Sequence, residues 1–323
     1  MHKTTIIGNT TWGNTLGSLL GNNGIEVKLL ARTETEAQKV NQKAHVFSST
    51  SNAEEALKDS ELVIWVVPSQ KLRENVLRIK NHLSQSMILM SAAKGLETET
   101  GKRMSQVIED EVAPELRQQV CALSGPNLAR EITQGLPAAS VVAAANIDIA
   151  KKASKILGSP KFLISTTDDI TGVELSGALK NIIALGAGIL DGLNMGDNTK
   201  AAFITWGWNE VISLGLALGA RVNTFYGLAG LGDLIATCAG DLSRNHYAGH
   251  KLAQGYPLDE VHSSMSQVAE GIYTTMAIHQ LTQQENLKAP ISNLIYEILF
   301  ENFPISQTVA RLGQLAQEQY LGS

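Results

Sequence analysis

Three ionisable side chains stand in surroundings where charge is costly. Lys180 lies within LSGALKNIIALGAGILDGLNMGD, flanked by Ala178, Leu179, Ile182, Ile183 and Ala184. Asp233 follows Gly227, Gly230 and Gly232 in GLAGLGDLIATC, and Arg244 comes next in DLSRN. A charge set among small and apolar residues usually has a task. An amine can exchange a proton, a carboxylate can orient that amine, and a guanidinium can fork onto an anion. Together they describe a site for a small anionic substrate. Two of them also have a plain reading: Lys180 snorkelling from a buried helix, and Asp233 capping a helix after a glycine turn.

A second set opens the chain. Gly8-Asn-Thr-Thr-Trp-Gly13 follows an apolar run, Thr4 to Ile7, and precedes helical spacing at Trp12, Leu16, Leu19 and Leu20. A strand-to-helix turn of this kind offers backbone amides and a helix N-terminus to a pyrophosphate. The common pattern is GxGxxG, and Thr10 takes the place of its middle glycine. On Gly8 and Gly13 alone, a dinucleotide site and an ordinary tight turn stand about even. The second run, Ile25 to Leu30, ends in Ala31-Arg32-Thr33. An acidic residue there would bind the ribose hydroxyls of NAD, whereas Arg32 suits the 2′-phosphate of NADP. A solvated surface arginine is the competing reading.

These residues need elements to hold them. Further strand candidates are Glu61 to Val67, Met87 to Met90, Val120 to Leu123, Ser140 to Ala144 and Phe162 to Ile164, with helical patterns between several of them. Strand alternating with helix predicts a doubly wound, mostly parallel sheet of the Rossmann type. After about Thr167 the pattern is helical only, with helix spacing at Leu258 to Ser264, Tyr273 to Gln284, Ile291 to Phe300 and Ile305 to Gln319. We therefore expect an α/β fold with a dinucleotide-binding domain over 1–167 and an all-helical substrate domain over 168–323.

Composition narrows the class. The chain has 323 residues, 44% hydrophobic and 18% charged, as expected of a globular protein. A net charge of −5 gives no footing for a nucleic-acid partner. Cys121 and Cys238 are far apart and read as small buried hydrophobes. His246 and His250, four apart on a helix, lack a third ligand and read as a solvated face, so no metal is expected. The apolar run Ala138 to Ala145 is too short to span a bilayer, and MHKTTIIGN is not a secretory leader. The expectation is a cytoplasmic protein without membrane insertion, with a homodimer left open.

The motifs have company. GNTTWG, Ser91-Ala-Ala-Lys94-Gly95, Ser124-Gly-Pro-Asn127-Leu-Ala129-Arg-Glu131, Val173-Glu-Leu-Ser-Gly-Ala-Leu-Lys180-Asn181, Gly227 to Asp233, Ser243-Arg244-Asn245 and Val268-Ala-Glu270-Gly271 occur in this order. In these the chain resembles, over essentially its full length, the NAD(P)-dependent glycerol-3-phosphate dehydrogenase family of bacterial and plastid type. The resemblance implies reduction of dihydroxyacetone phosphate to sn-glycerol 3-phosphate with NADPH or NADH, feeding glycerophospholipid synthesis. It implies Lys180 as general acid and base, Lys94 touching substrate and cofactor, and Asp233 orienting Lys180 or a substrate hydroxyl. Gly8, Thr11, Trp12, Gly13, Arg32, Lys94, Ala129, Arg244, Val268 and Glu270 would meet the cofactor. Gly125, Asn127, Asn181, Ser243, Arg244 and Asn245 would meet the phosphorylated substrate, beside Lys94, Lys180 and Asp233.

Two positions depart from the family pattern. Thr10 puts a Cβ where the backbone should approach phosphates closely. Trp206 stands where many relatives carry an arginine, which predicts altered packing there. The competing functions are a two-domain reductase of another ketone or 3-hydroxy acid, which would give Ser243-Arg244-Asn245 no obvious partner, and a non-catalytic dinucleotide sensor.

Overall fold

The structure, a computed structural model, describes residues 2–238, 243–265 and 268–318. The chain divides into two compact units, Met1–Lys94 with Arg103–Glu174, and Gly95–Lys102 with Leu175–Ser323. The strand pattern in the sequence ends near 167, whereas the packing divides the chain further on, inside a helix. An eight-residue excursion, Gly95–Lys102, also packs with the second unit.

The first unit is built on strands β1 (Lys3–Ile7), β2 (Glu26–Leu30), β3 (Ser48–Thr50), β4 (Leu62–Trp65), β5 (Ile88–Ser91), β6 (Val120–Ser124), β7 (Ala138–Ala143) and β8 (Phe162–Thr167). They form one sheet in the order β3-β2-β1-β4-β5-β6-β7-β8. All neighbours pair parallel except β6 with β7. Its helices are α1 (Thr11–Asn22), α2 (Glu34–Asn41), α3 (Ala53–Leu57), α4 (Leu72–Ile79), α5 (Met104–Glu111), α6 (Ala129–Thr133) and α7 (Ile147–Leu157). The apolar run 61–67 becomes β4, buried at all four positions because both faces of a doubly wound sheet are covered. One face carries Ile6, Leu16, Leu29, Ile64, Met90 and Phe162. The other carries Ile7, Leu30, Val63, Trp65, Val76 and Ile108. β3 has no signature in the sequence, since Ser-Ser-Thr offers no apolar run.

The second unit is helical. It contains α8 (Ile170–Gly192, its first turns in the first unit), α9 (Gly196–Ala217), α10 (Val222–Phe225), α11 (Asp233–Cys238), α12 (Arg244–Ala253), α13 (Leu258–Ser264), α14 (Glu270–Gln284), α15 (Pro290–Phe300) and α16 (Thr308–Ala316). A single core includes Leu179, Ile183, Phe203, Trp208, Phe225, Ile278 and Ile295. Helix α8 is long and apolar enough to cross a membrane by length and composition, but its apolar window is wholly buried. The helix predicted over Ile305 to Gln319 is a 3-10 turn, Ile305–Gln307, followed by α16, and residue 319 lies outside the described residues. Trp206 is half-buried in α9 and packs against the second unit's core, which accounts for an apolar ring at that position.

Candidate active site

In the first unit the candidate residues gather beyond the carboxyl ends of adjacent parallel strands. Gly8 follows β1, Arg32 follows β2, Lys94 follows β5, and Gly125 follows β6. The chain order runs outward in opposite directions from β1 and β4, which makes that edge a topological switch point. Gly8 has φ +118°, and a Cβ there would lie 2.7 Å from the Val66 carbonyl oxygen. Only glycine fits at no cost.

Thr10 has a structural role in that turn. Its hydroxyl turns inward, donating to the Val66 carbonyl at 3.0 Å and accepting the Gly13 N–H at 3.0 Å. It is the N-cap of α1, and it ties the turn to the end of β4. Thr11 is exposed, Trp12 half-buried and Gly13 buried at the start of that helix. The loop beyond β1 thus keeps a helix N-terminus with no acidic residue in its first turn, which fits a pyrophosphate.

Lys94 and Gly125 are brought together, the Lys94 amine donating to the Gly125 carbonyl at 2.8 Å. The Asn127 side-chain oxygen accepts from the Ser140 hydroxyl at 2.7 Å, which fixes the amide two residues further on. Ala129 is half-buried at the start of α6. Arg32 is exposed and pairs with Glu36, a residue the sequence reading did not single out.

In the second unit Lys180 is 5% exposed, and its amine donates to Asp233, itself 2% exposed, and to the Thr237 hydroxyl at 2.5 Å. The amine is therefore dry but paired, where the sequence alone showed only apolar neighbours. Thr237 is a functional candidate the sequence reading missed. It lies one turn beyond Asp233 on α11 and its hydroxyl also bonds to the Asp233 carbonyl at 2.6 Å. The i, i+4 spacing from a flagged carboxylate was the available signal. Cys238, next along the chain, is pushed up to about 12 by burial. Such a thiol is inert.

Asn181 and Asn245 form a buried relay. Asn245 donates to the Asn181 side-chain oxygen at 2.9 Å and accepts the Gly271 N–H at 2.9 Å. Three helices, α8, α12 and α14, are thereby tied together one residue from Lys180 and one from Arg244. Ser243 caps α12 by accepting the His246 N–H at 3.3 Å. Arg244 presents surface to solvent, yet its guanidinium is partly desolvated, which pulls its pKa down against the opposing pull of Glu270. Glu270 begins α14 and is half-buried, as is Val268 just before it.

The solvated face expected at His246 and His250 is a correction. His246 is buried, and its Nε2 lies 2.7 Å from Asp191 on α8. The face of α12 that carries it is turned inward because Gly188 and Gly249 let α8 and α12 approach closely. Among the described residues no group of three His, Cys, Asp or Glu is placed to hold a metal.

Two models of one family match the chain, one toward each end. The model for the NAD-dependent glycerol-3-phosphate dehydrogenase N-terminus matches residues 3–150, and that for its C-terminus matches residues 169–310. The chain belongs to the NAD-dependent glycerol-3-phosphate dehydrogenase family. A glycerol-3-phosphate dehydrogenase [NAD(P)+] of Dehalococcoides mccartyi is 48% identical over 94% of this chain and 88% of its own. One from Geobacter metallireducens is 40% identical over 96% of each chain. The crystal structure of glycerol-3-phosphate dehydrogenase from Coxiella burnetii superposes with a TM-score of 0.90 at 30% identity, covering 97% of this chain and 99% of that one. A ketopantoate reductase of Ralstonia eutropha shares the fold alone, at 15% identity and a TM-score of 0.60. As a member of the glycerol-3-phosphate dehydrogenase family, the chain is an NAD(P)-dependent oxidoreductase.

Proposed function

We propose that this chain reduces dihydroxyacetone phosphate to sn-glycerol 3-phosphate, reversibly, and so supplies the backbone of glycerophospholipids. The observation that carries the reading is the buried Lys180–Asp233–Thr237 cluster beside the Asn181–Asn245 relay. The dinucleotide, when bound, supplies hydride to the ketone carbon. Lys180 hands a proton from Nζ to the ketone oxygen, so the product leaves as a secondary alcohol and the amine is left neutral. In reverse the amine takes that proton back. Asp233 and Thr237 orient the amine, and Asp233 balances its charge while it is protonated. Lys94, held by the Gly125 carbonyl, is assigned to the carbonyl oxygen as a fixed cation. Arg244 forks onto the phosphate, while Asn245, Asn181 and Ser243 hold the helix end that presents it.

The cofactor residues carried over from the resemblance keep their assignment: Gly8, Thr11, Trp12, Gly13 and Arg32 toward the adenosine and pyrophosphate, and Ala129, Val268 and Glu270 toward the nicotinamide end. Gly125 and Asn127 are assigned to the substrate.

The test follows NADPH absorbance with dihydroxyacetone phosphate and, separately, with unphosphorylated dihydroxyacetone. Wild type is expected to turn over the first and discriminate strongly against the second. Lys180→Ala is expected to lose about 10³-fold or more in kcat. Full activity of that variant, or equal use of both ketones, would sink the reading.

A further inference from the structure

The end of β2 carries an ion pair whose two members favour different cofactors. Ala31 follows the strand directly, its N–H bonded to the Thr50 carbonyl at 2.9 Å, and Arg32 is the second residue beyond it. Thr33 then caps α2 by accepting the Glu36 N–H at 3.2 Å. That cap places Glu36 one helical turn from Arg32. Its carboxylate accepts the Arg32 backbone N–H at 3.2 Å and the Arg32 guanidinium at 2.7 Å. One side chain therefore occupies the Arg32 backbone N–H and its guanidinium together.

We propose that Glu36 is a specificity-determining residue for the cofactor, competing with a nucleotide 2′-phosphate for Arg32 and accepting a hydrogen bond from a ribose 2′-hydroxyl. The proposal rests on the β1–α1 turn being the dinucleotide site. Its chemistry is a contest of two anions for one cation. A 2′-phosphate forms charge-assisted bonds with a guanidinium, but here it must first displace a carboxylate and then sit near it. A bare 2′-hydroxyl has no such conflict, because an ionised carboxylate near this strand end is the acceptor it seeks. The acidic partner absent from residues 31–33 thus stands one turn further on.

Neighbouring charges support the assignment. Glu36 is held below the usual carboxylate range, first by the hydrogen bond from Arg32 and then, against desolvation, by its further bonds and the charge of Arg78. It is therefore an acceptor at neutral pH. Arg78 is near but committed, its guanidinium donating to the Ala31 carbonyl at 2.9 Å and the Ser51 carbonyl at 3.1 Å. Glu34 accepts from the Ser51 hydroxyl at 2.9 Å, and Glu74 adds a distant negative charge to Arg32. The Arg32 side chain is 80% exposed, so it can swing between partners with little packing to break. The exposed pair is weak enough for phosphate to win, at several-fold cost. On this geometry either dinucleotide can bind, with the phosphorylated one at a disadvantage.

The experiment titrates NADPH and NADH separately into the intact protein and reads dissociation constants from nicotinamide fluorescence, with no substrate present. Variants are Glu36→Gln, Glu36→Ala, Arg32→Ala and Arg32→Ala with Glu36→Gln. Glu36→Gln is expected to shift the ratio of the two constants toward NADPH by about 5-fold or more. Arg32→Ala is expected to shift it toward NADH, and the gain from Glu36→Gln is expected to shrink in the Arg32→Ala background, where the contest for the guanidinium is gone and only the direct effects of the carboxylate on the 2′ group remain. Equal effects on both nucleotides, a ratio within about twofold of wild type, or a gain undiminished by Arg32→Ala would each overturn the proposal. Wild-type protein that binds neither nucleotide would overturn the reading of the turn, and this proposal with it. The Thr33 cap uses the backbone N–H of residue 36, so α2 keeps its N-terminus in every variant.

Discussion

An amine buried beside a carboxylate is useful only if its direction is fixed, and two residues fix it here. Asp233 supplies charge and Thr237 supplies a hydroxyl that is itself anchored to the Asp233 carbonyl. Removing the hydroxyl while keeping the branch, Thr237→Val, leaves the charge but frees the amine to rotate. We expect kcat to fall by about 10-fold with a smaller change in KM for the ketone, since orientation matters most at proton transfer. Steady-state kinetics at fixed NADPH separates the two. Asp233→Asn is expected to cost more, because a buried ammonium then lacks its counter-charge. An adjacent prediction concerns Cys238. Burial raises its thiol to about 12 and Cys121 higher still. Iodoacetamide at pH 8 should leave activity intact and label neither thiol until denaturant is added. Rapid inactivation would show that this end of α11 opens.

At the scale of elements, the placement of Arg244 depends on how closely α12 approaches α8. A Cβ at Gly249 would lie 1.9 Å from the Leu185 carbonyl oxygen, and one at Gly188 would lie 2.0 Å from the His246 carbonyl oxygen. Gly249→Ala must push the helices apart, and overpacking of this kind costs about 1–3 kcal/mol or more. It also strains the Asn181–Asn245 bond, so KM for dihydroxyacetone phosphate is expected to rise. Gly313→Ala is the control, because nothing lies within 4 Å of its Cβ position in α16. There the change should be neutral or stabilising by about 0.5–1 kcal/mol. Urea midpoints of the two variants should move in opposite directions. Another element is capped from afar. Glu210 on α9 is 2% exposed and accepts the Ile291 N–H at 2.6 Å, the Ser292 N–H at 2.9 Å and the Ser292 hydroxyl at 2.6 Å, at the start of α15. Burial still raises its pKa, against those bonds. A folded state with the higher pKa holds the proton more tightly than the unfolded chain. Its unfolding free energy therefore falls as pH rises from about 4.3, the unfolded carboxylate value, through the raised one. Glu210→Gln should flatten that limb of a plot of Tm against pH. An unchanged slope would mean that Glu210 does not titrate there.

Across the whole molecule, what the sequence made legible was periodicity and local chemistry. The Rossmann sheet followed from runs such as ELVIWVV, and Lys180 and Asp233 followed from charges out of place. What escaped depended on residues distant in sequence. Thr237 matters only because α8 runs past α11, and His246 is buried only because a glycine face lets α12 meet α8. The excursion 95–102 looked like a loop of the first domain, yet Leu96 joins the core of the second. Its return is pinned within the first unit. Arg103 donates to Glu174 at 2.5 Å, and the Ser105 N–H and hydroxyl reach the same carboxylate at 2.7 Å and 2.5 Å. Residues 103 and 174 stand at two of the three points at which the chain leaves or re-enters the first unit, the third being residue 94, so one buried carboxylate ties two crossings. Glu174→Ala strands a guanidinium that is 16% exposed and an amide, a loss of about 3–5 kcal/mol. Replacing both charges, Arg103→Met with Glu174→Leu, removes the stranded group along with its partner. It should recover much of that loss in denaturant unfolding. If the double variant is no more stable than Glu174→Ala, the Ser105 bonds rather than the ion pair hold the crossing, and Ser105→Ala should then reproduce the defect alone.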